Sequence, residues 1–229
     1  MAIDFNGSTQ YLSVNTTLLT DEPIDMVIHF NSDSITVTQA AMALADAGGI
    51  NGEYSLLPAG SVASDPVRAI KRNDSGAGSS IFDTTTGYSA SVWNHAGVTY
   101  ISDTSRAVYL NGGSKTSNAT SVTNPTNDNL GIGARLHSSI DLFFDGKLAE
   151  AYVLNANMSD TQHSSRAKGY SALWDVPIKN VRGWYPLLRV TDLQNRMNGY
   201  PALTATASPT TASHPPKVIY PRLGGLMCI

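Results

Sequence analysis

Charge, cysteine and long apolar runs are scarce in this sequence. Lys, Arg, Asp and Glu make up 14% of its 229 residues, against about 25% in an ordinary globular chain. The net charge of −3 leaves no basic footprint and argues against a nucleic-acid partner. Cys228 is the one cysteine, so no internal disulfide can form, and the expectation is a chain folded in a reducing cytoplasm. No stretch approaches the roughly 20 apolar residues of a membrane-spanning helix. Residues 1–5 carry neither the basic nor the apolar region of a secretory signal. No membrane contact is expected. The Asn-x-Ser/Thr triplets at Asn6, Asn15, Asn73 and Asn118 are therefore read as turn and strand chemistry. Glutamate is rarer still, at Glu22, Glu53 and Glu150.

What fills the sequence instead is Ser, Thr, Asn and Gly between short apolar alternations. The stretch from Ser91 to Gly113 is the clearest. Ala96, Val98 and Tyr100 fall on one face, opposite His95, Gly97 and Thr99. Val108 and Leu110 then share a face opposite Ala107 and Tyr109. Period two in such residues across a short polar link predicts a β-hairpin, and Asn111-Gly112 predicts a tight turn into another strand. Met26, Ile28 and Phe30 alternate in the same way. Residues 36–46 are ambiguous, because their alanines also suit a helix. Turn signals every 8–12 residues or so favour a sandwich. One helix is expected, with Ser159 and Gln162 as a capping box and Gly169 as its stop.

These segments also carry a family resemblance. Trp93-Asn94-His95-Ala96 with Val108-Tyr109-Leu110-Asn111-Gly112 resembles the central segment of laminin-G-like, concanavalin-A-type jelly rolls. Asp4–Ser8 with Tyr11–Val14, Leu130-Gly131-Ile132-Gly133 and Phe144–Val153 are similar to other strands of that family, in the right order. The resemblance implies an all-β, two-sheet antiparallel jelly-roll sandwich over residues 1–170, and it favours a strand within 36–46. Residues 171–204 are expected to pack on the sandwich. Trp184–Leu188, Asp192–Gly199 and His214–Pro221 resemble tails that follow such jelly rolls in tailed-phage structural proteins. Residues 205–229 contain Pro209, Pro215, Pro216 and Pro221, which forbid a helix and favour an extended arm.

Glycosidases of the resembled type need carboxylates spaced as Glu-x-Asp-x-x-Glu, and none of the three glutamates is so placed. No Gly-x-Ser-x-Gly elbow is present and Cys228 has no local His partner. The expectation is no enzyme. The resemblance allows one structural calcium, with Asp46, Asn51, Asp74, Asp103 and Asp128 as candidates. Turn-forming bonds to the backbone are the favoured reading of these residues, so no cofactor or metal is expected. The histidines His29, His95, His137, His163 and His214 show no His-x₃-His spacing. Sugar-stacking aromatics are sought among Tyr54, Tyr88, Trp93, Tyr100 and Tyr109, with Tyr88, Trp93 and Tyr109 as the glycan-contact candidates, although filling the core or the strand surface is the favoured reading of these rings.

The sequence reading is thus a structural component of a tailed-phage virion, for capsid decoration or for a tail or fibre. Leu223, Leu226, Met227 and Ile229 would dock on the major capsid protein or on another copy in a homo-oligomer. The alternative is a lectin or adhesin module for host-surface glycans, and a glycoside hydrolase ranks third.

Overall fold

Alternation in the sequence becomes two stacked antiparallel sheets in the computed structural model, which describes residues 1–215 and 218–221. The first half of the chain gives β1 (Ala2–Asn6), β2 (Tyr11–Val14), β3 (Ile24–Ser32), β4 (Met42–Ala45), β5 (Glu53–Pro58), β6 (Pro66–Arg72), β7 (Ser79–Gly87) and β8 (Asn94–Ser102). The second half gives β9 (Ser105–Leu110), β10 (Gly113–Asn118), β11 (Asn129–Ile132), β12 (Arg135–Leu136), β13 (Ile140–Asp141) and β14 (Asp145–Leu154). Helix α1 (Asp160–Ala167) follows, then β15 (Val181–Tyr185), β16 (Thr204–Thr206) and β17 (Thr210–Ala212).

The larger sheet runs β10-β9-β8-β3-β14-β1-β17, with β15 also on β14. The smaller runs β16-β2-β11-β4-β5-β6-β7. Long connections between spatial neighbours, such as β3 to β14, make this a jelly-roll sandwich.

The predicted faces are the observed ones. Val98, Tyr100, Val108 and Leu110 are at most 2% exposed and join Met26, Ile28 and Phe30 against Leu44, Tyr54, Leu56 and Phe82 of the other sheet. The Tyr100 hydroxyl reaches across the core to the carbonyls of Ser55 and Ile70, at 2.9 and 2.8 Å. Burial without such partners would cost the hydroxyl a few kcal/mol. Residues 42–45 form a fully buried strand, so packing overrides the helical propensity of the alanines.

Asn111 and Gly112 both take positive φ, at 53° and 71°, which closes the β9–β10 hairpin. A Cβ on Gly112 would also lie 2.5 Å from the Ser164 Cα, so this turn lets α1 lie against the hairpin. Helix α1 has the expected capping box, and Gly169 at φ 87° ends it in a Schellman motif, with Gly169 N–H on Arg166 O and Tyr170 N–H on Ser165 O.

The sheets run past residue 170. Strand β15 pairs with Ala151–Leu154 of β14, β16 adds to β2 and β17 adds to β1. Residues 204–206 and 210–212 thus occupy one edge of each sheet of their own chain. The unpaired backbone groups of β1 and β2 draw them there. Leu223, Leu226, Met227 and Ile229, the expected docking residues, lie outside the described residues.

Candidate functional site

The outer face of the larger sheet is covered by α1 and by the segments that follow it. Asp25 from β3, His95 and Thr99 from β8 and Tyr109 from β9 point outward, yet all are buried. Gly97 makes room for the helix, since a Cβ there would lie 2.6 Å from His163 Nδ1. His163 stacks on Tyr109, with ring centroids 3.8 Å apart and planes 16° apart. Its Nε2 lies 2.9 Å from Thr99 Oγ1 and 3.4 Å from Asp25 Oδ1. Thr99 donates to Asp25 Oδ1, and the Met158 N–H donates to Oδ2 at 2.8 Å. Burial raises the Asp25 carboxyl, and its bond with His163 works against that. Although Thr, His and Asp meet here, they do not form a nucleophilic triad. His163 turns one nitrogen to both partners, while Nδ1 has no hydrogen-bond partner and the hydroxyl is sealed from solvent. The cluster fastens the helix to the sheet.

At the N-terminal end of α1 this covering layer stops and a groove of about 630 Å³ opens, within the range of small-molecule sites. Thr99, Ala107 and Tyr109 form its floor. Lys115, Ser117 and Asn118 of edge strand β10 form one wall, Ile101, Thr104 and Ser105 one end, and Asn157–Thr161 the opposite wall. The alternation of β10 places Lys115 and Ser117 outward as exposed residues.

Charge in the groove is paired. Lys115 Nζ donates to Asp160 Oδ1 at 2.7 Å and lies 5.5 Å from the Tyr109 ring centroid. The Tyr109 hydroxyl donates to the same oxygen at 2.8 Å. Those two bonds, Lys115 first, hold the Asp160 carboxyl below the usual range. Burial and the Asp160 bond raise the Tyr109 hydroxyl. Arg106 also borders the groove, but its guanidinium is committed to Asn118 Oδ1 (3.1 Å), Thr120 O (2.7 Å) and Asp103 O.

Of the three expected glycan-contact residues, Tyr109 alone lines this groove, as a floor residue 3% exposed with His163 stacked on its ring, so it presents no free aromatic face. Tyr88 faces the interior, 5% exposed and 5.3 Å from the Phe30 ring, so it offers no face to a sugar. This corrects its assignment: the core between the sheets, not solvent, receives that ring. Trp93 is half-buried just ahead of β8.

The three glutamates lie in three different places. Glu22 pairs with Lys71 at 2.9 Å. Glu53, on the outer face of the smaller sheet, is enclosed by Arg135 (3.1 Å), Arg72 (3.6 Å) and Ser55. The Glu150 carboxylate, on a bulge of β14, accepts from Tyr152 (3.2 Å), Trp184 (3.4 Å) and Tyr220.

The calcium candidates spend their oxygens on neighbours. Asp46 accepts from Gly48 N–H, Asp128 from Ala47 N–H, Asp74 from Thr126 and Asp103 from Lys71. Asn51 donates to the Asp74 carbonyl. Among the described residues no group of three or more His, Cys, Asp and Glu is placed to hold a metal.

A family model described as the concanavalin A-like lectin/glucanases superfamily matches residues 6–162. The chain belongs to this superfamily. The match runs from the first strand pair to the capping residues of α1, and so includes every wall of the groove. Among solved structures, the superfamily sandwich is similar to the Ruminococcus gnavus IT-sialidase CBM40, with a TM-score of 0.62 and 15% identity over 72% of this chain and 96% of that one. A heptameric SAP-like pentraxin from Limulus polyphemus matches with a TM-score of 0.57 and 14% identity, over 72% and 81%. The NanB sialidase from Streptococcus pneumoniae matches with a TM-score of 0.58 and 19% identity, over 71% of this chain and 27% of that one. No curated protein matches.

Proposed function

We propose that this chain is a non-catalytic carbohydrate-recognition module whose combining site is the groove between β8–β10 and the start of α1. The observation that carries this reading is the groove itself, a polar concavity on a superfamily sandwich, framed by hydroxyl and amide side chains around one Lys115–Asp160 ion pair. A fold alone does not name a function, but hydroxyl-rich ligands are held by such groups. The similar CBM40 has been solved with α2,3 and α2,6 sialyllactose bound. The absence of catalysis is supported by the glutamates: Glu22 and Glu53 are held by Lys71 and Arg135, which also bind Asp103 and Asp141, and Glu150 sits in a cage of hydroxyl and indole donors.

The virion reading rests on resemblance in the C-terminal segments. In the structure Trp184 stacks on Tyr152 and Tyr220 lies against Trp184, so the described part of those segments packs on its own module. Glycan recognition is the function the groove favours. A glycan array probed with the purified chain tests it. Retention of defined glycans, abolished by Ser117→Trp at an unchanged melting temperature, is the expected result. An array left empty, or release of reducing sugar from a bound glycan, overturns it.

A further inference from the structure

We infer that the groove selects uncharged glycans over sialosides and uronates, with Asp160 as the acceptor of sugar hydroxyls. This inference rests on the carbohydrate-recognition reading and adds its ligand class.

An acidic sugar is bound by cations with free N–H groups, best of all an unengaged guanidinium that meets the carboxylate with two bonds. Among the described residues two cations line the groove, and neither offers a ligand a free guanidinium or ammonium. Arg106 is 1% exposed, with both terminal nitrogens bonded to acceptors of the 103–120 segment and its unpartnered Nε buried out of reach. Lys115 is neutralised by Asp160.

The N-terminus of α1 would ordinarily favour an anion, but the chain has already supplied one. Asp160 is the acidic residue of that first turn, and the Ser159–Gln162 capping box takes up the Gln162 N–H. A carboxylate arriving here would find the helix end already served by Asp160 and the groove's exposed lysine already paired with it, so no unpaired cation compensates its loss of water.

For a neutral sugar the same groups are favourable. Asp160 Oδ1 is taken by Tyr109 and Lys115, whereas Oδ2 accepts nothing from the described residues and the side chain is 66% exposed. It is a charged acceptor aimed at solvent, and hydroxyls donating to a carboxylate make the stronger class of hydrogen bond. Ser105, Ser117, Asn157 and Thr161 surround it with neutral donors and acceptors.

The test is an array of paired glycans, each neutral core beside its sialylated form, with uronate oligosaccharides included. Wild-type protein should retain neutral members, with each sialylated partner at least about tenfold weaker. Sialylated members retained equally or better overturn the selectivity while leaving glycan recognition standing. Retention of no glycan of either kind overturns both. A second arm uses Asp160→Asn, checked for an unchanged melting temperature. Neutral binding should fall about tenfold, and lactose capped with sialic acid should gain affinity in a salt-dependent way, because the Lys115 ammonium is left unpaired. Unchanged neutral binding in Asp160→Asn would remove Asp160 from the site and sink the assignment.

Discussion

Between the sheets, Val98, Tyr100, Val108 and Leu110 meet the apolar face of the opposing sheet. On the other side of the same strands, Asp25, His95, Thr99 and Tyr109 are buried to the same depth under α1 and the C-terminal segments. The first interface is held by apolar area and asks only for shape. The second encloses a buried carboxylate, stacked rings and imidazoles, so its stability turns on which polar atoms find partners: Asp25 does, and both His95 nitrogens do not. A small second apolar cluster of Val27, Tyr152, Leu154, Met158, Val176 and Trp184 helps to seal that layer. The lesson is that one sheet is buried on both faces by different means, and that the groove opens where the polar layer ends.

The largest effect should come from the apolar side. Leu110→Ala removes a side chain 2% exposed in the main core and should cost about 3–4 kcal/mol by chemical denaturation. A loss below about 0.5 kcal/mol would contradict the packing described, because transfer alone exceeds that. On the polar side, Glu150→Ala leaves the indole N–H of Trp184 without an acceptor and the Tyr152 hydroxyl with only Ser171 as partner. A loss of about 2 kcal/mol is expected. Glu150→Gln, which keeps acceptors for both, should lose clearly less. Equal losses would show that the carboxylate charge, not its bonds, holds the layer.

The third effect is pH-dependent. Burial, and then the neighbouring His214, lowers His29 to about 4. Burial, then His29, His163 and Arg166, lowers His95 well below the usual imidazole value. Their rings lie 5.2 Å apart, and both His95 nitrogens lack a partner. Unfolding restores ordinary imidazoles near 6.5, so the unfolded chain binds more protons. Stability from this pair is therefore complete above about pH 6.5 and falls as pH drops toward about 4. The buried carboxyls of Asp25 and Glu22, raised by desolvation, pull the other way. Melting temperatures between these limits should fall with acid, and His95→Gln should flatten the slope. A slope unchanged in His95→Gln would contradict the buried-imidazole description.

These contrasts also explain what the sequence made legible. The interior was readable because period two in Val98, Tyr100, Val108 and Leu110 survives as a physical face, and because Asn111-Gly112 and Ser159–Gln162 carry local turn and cap chemistry. The outer layer was not. Asp25, Thr99 and His163 are far apart in the chain, and nothing in their spacing announces that they meet. Tyr88 was misplaced because an aromatic in a Gly-Tyr-Ser stretch looks the same whether a loop exposes it or folds it inward. Strands β16 and β17 are three residues of Thr and Ala each, too short to show a period. For the groove, Tyr109 was singled out for its aromatic ring, and it lies in the floor beneath His163. Lys115, Ser117 and Asp160 were missed, since β10 reads as a solvated edge and nothing local says that α1 returns to that edge.

The central claim is that a glycan binds at the end of the polar layer, in the groove, and not elsewhere on the sandwich. The most direct test is to record backbone amide shifts of the labelled chain while titrating a neutral glycan identified by array. The account predicts perturbations concentrated at residues 105–119 and 157–161, saturable and lost in Ser117→Trp. Perturbations centred instead around Glu53 and Arg135, on the opposite sheet, would contradict it.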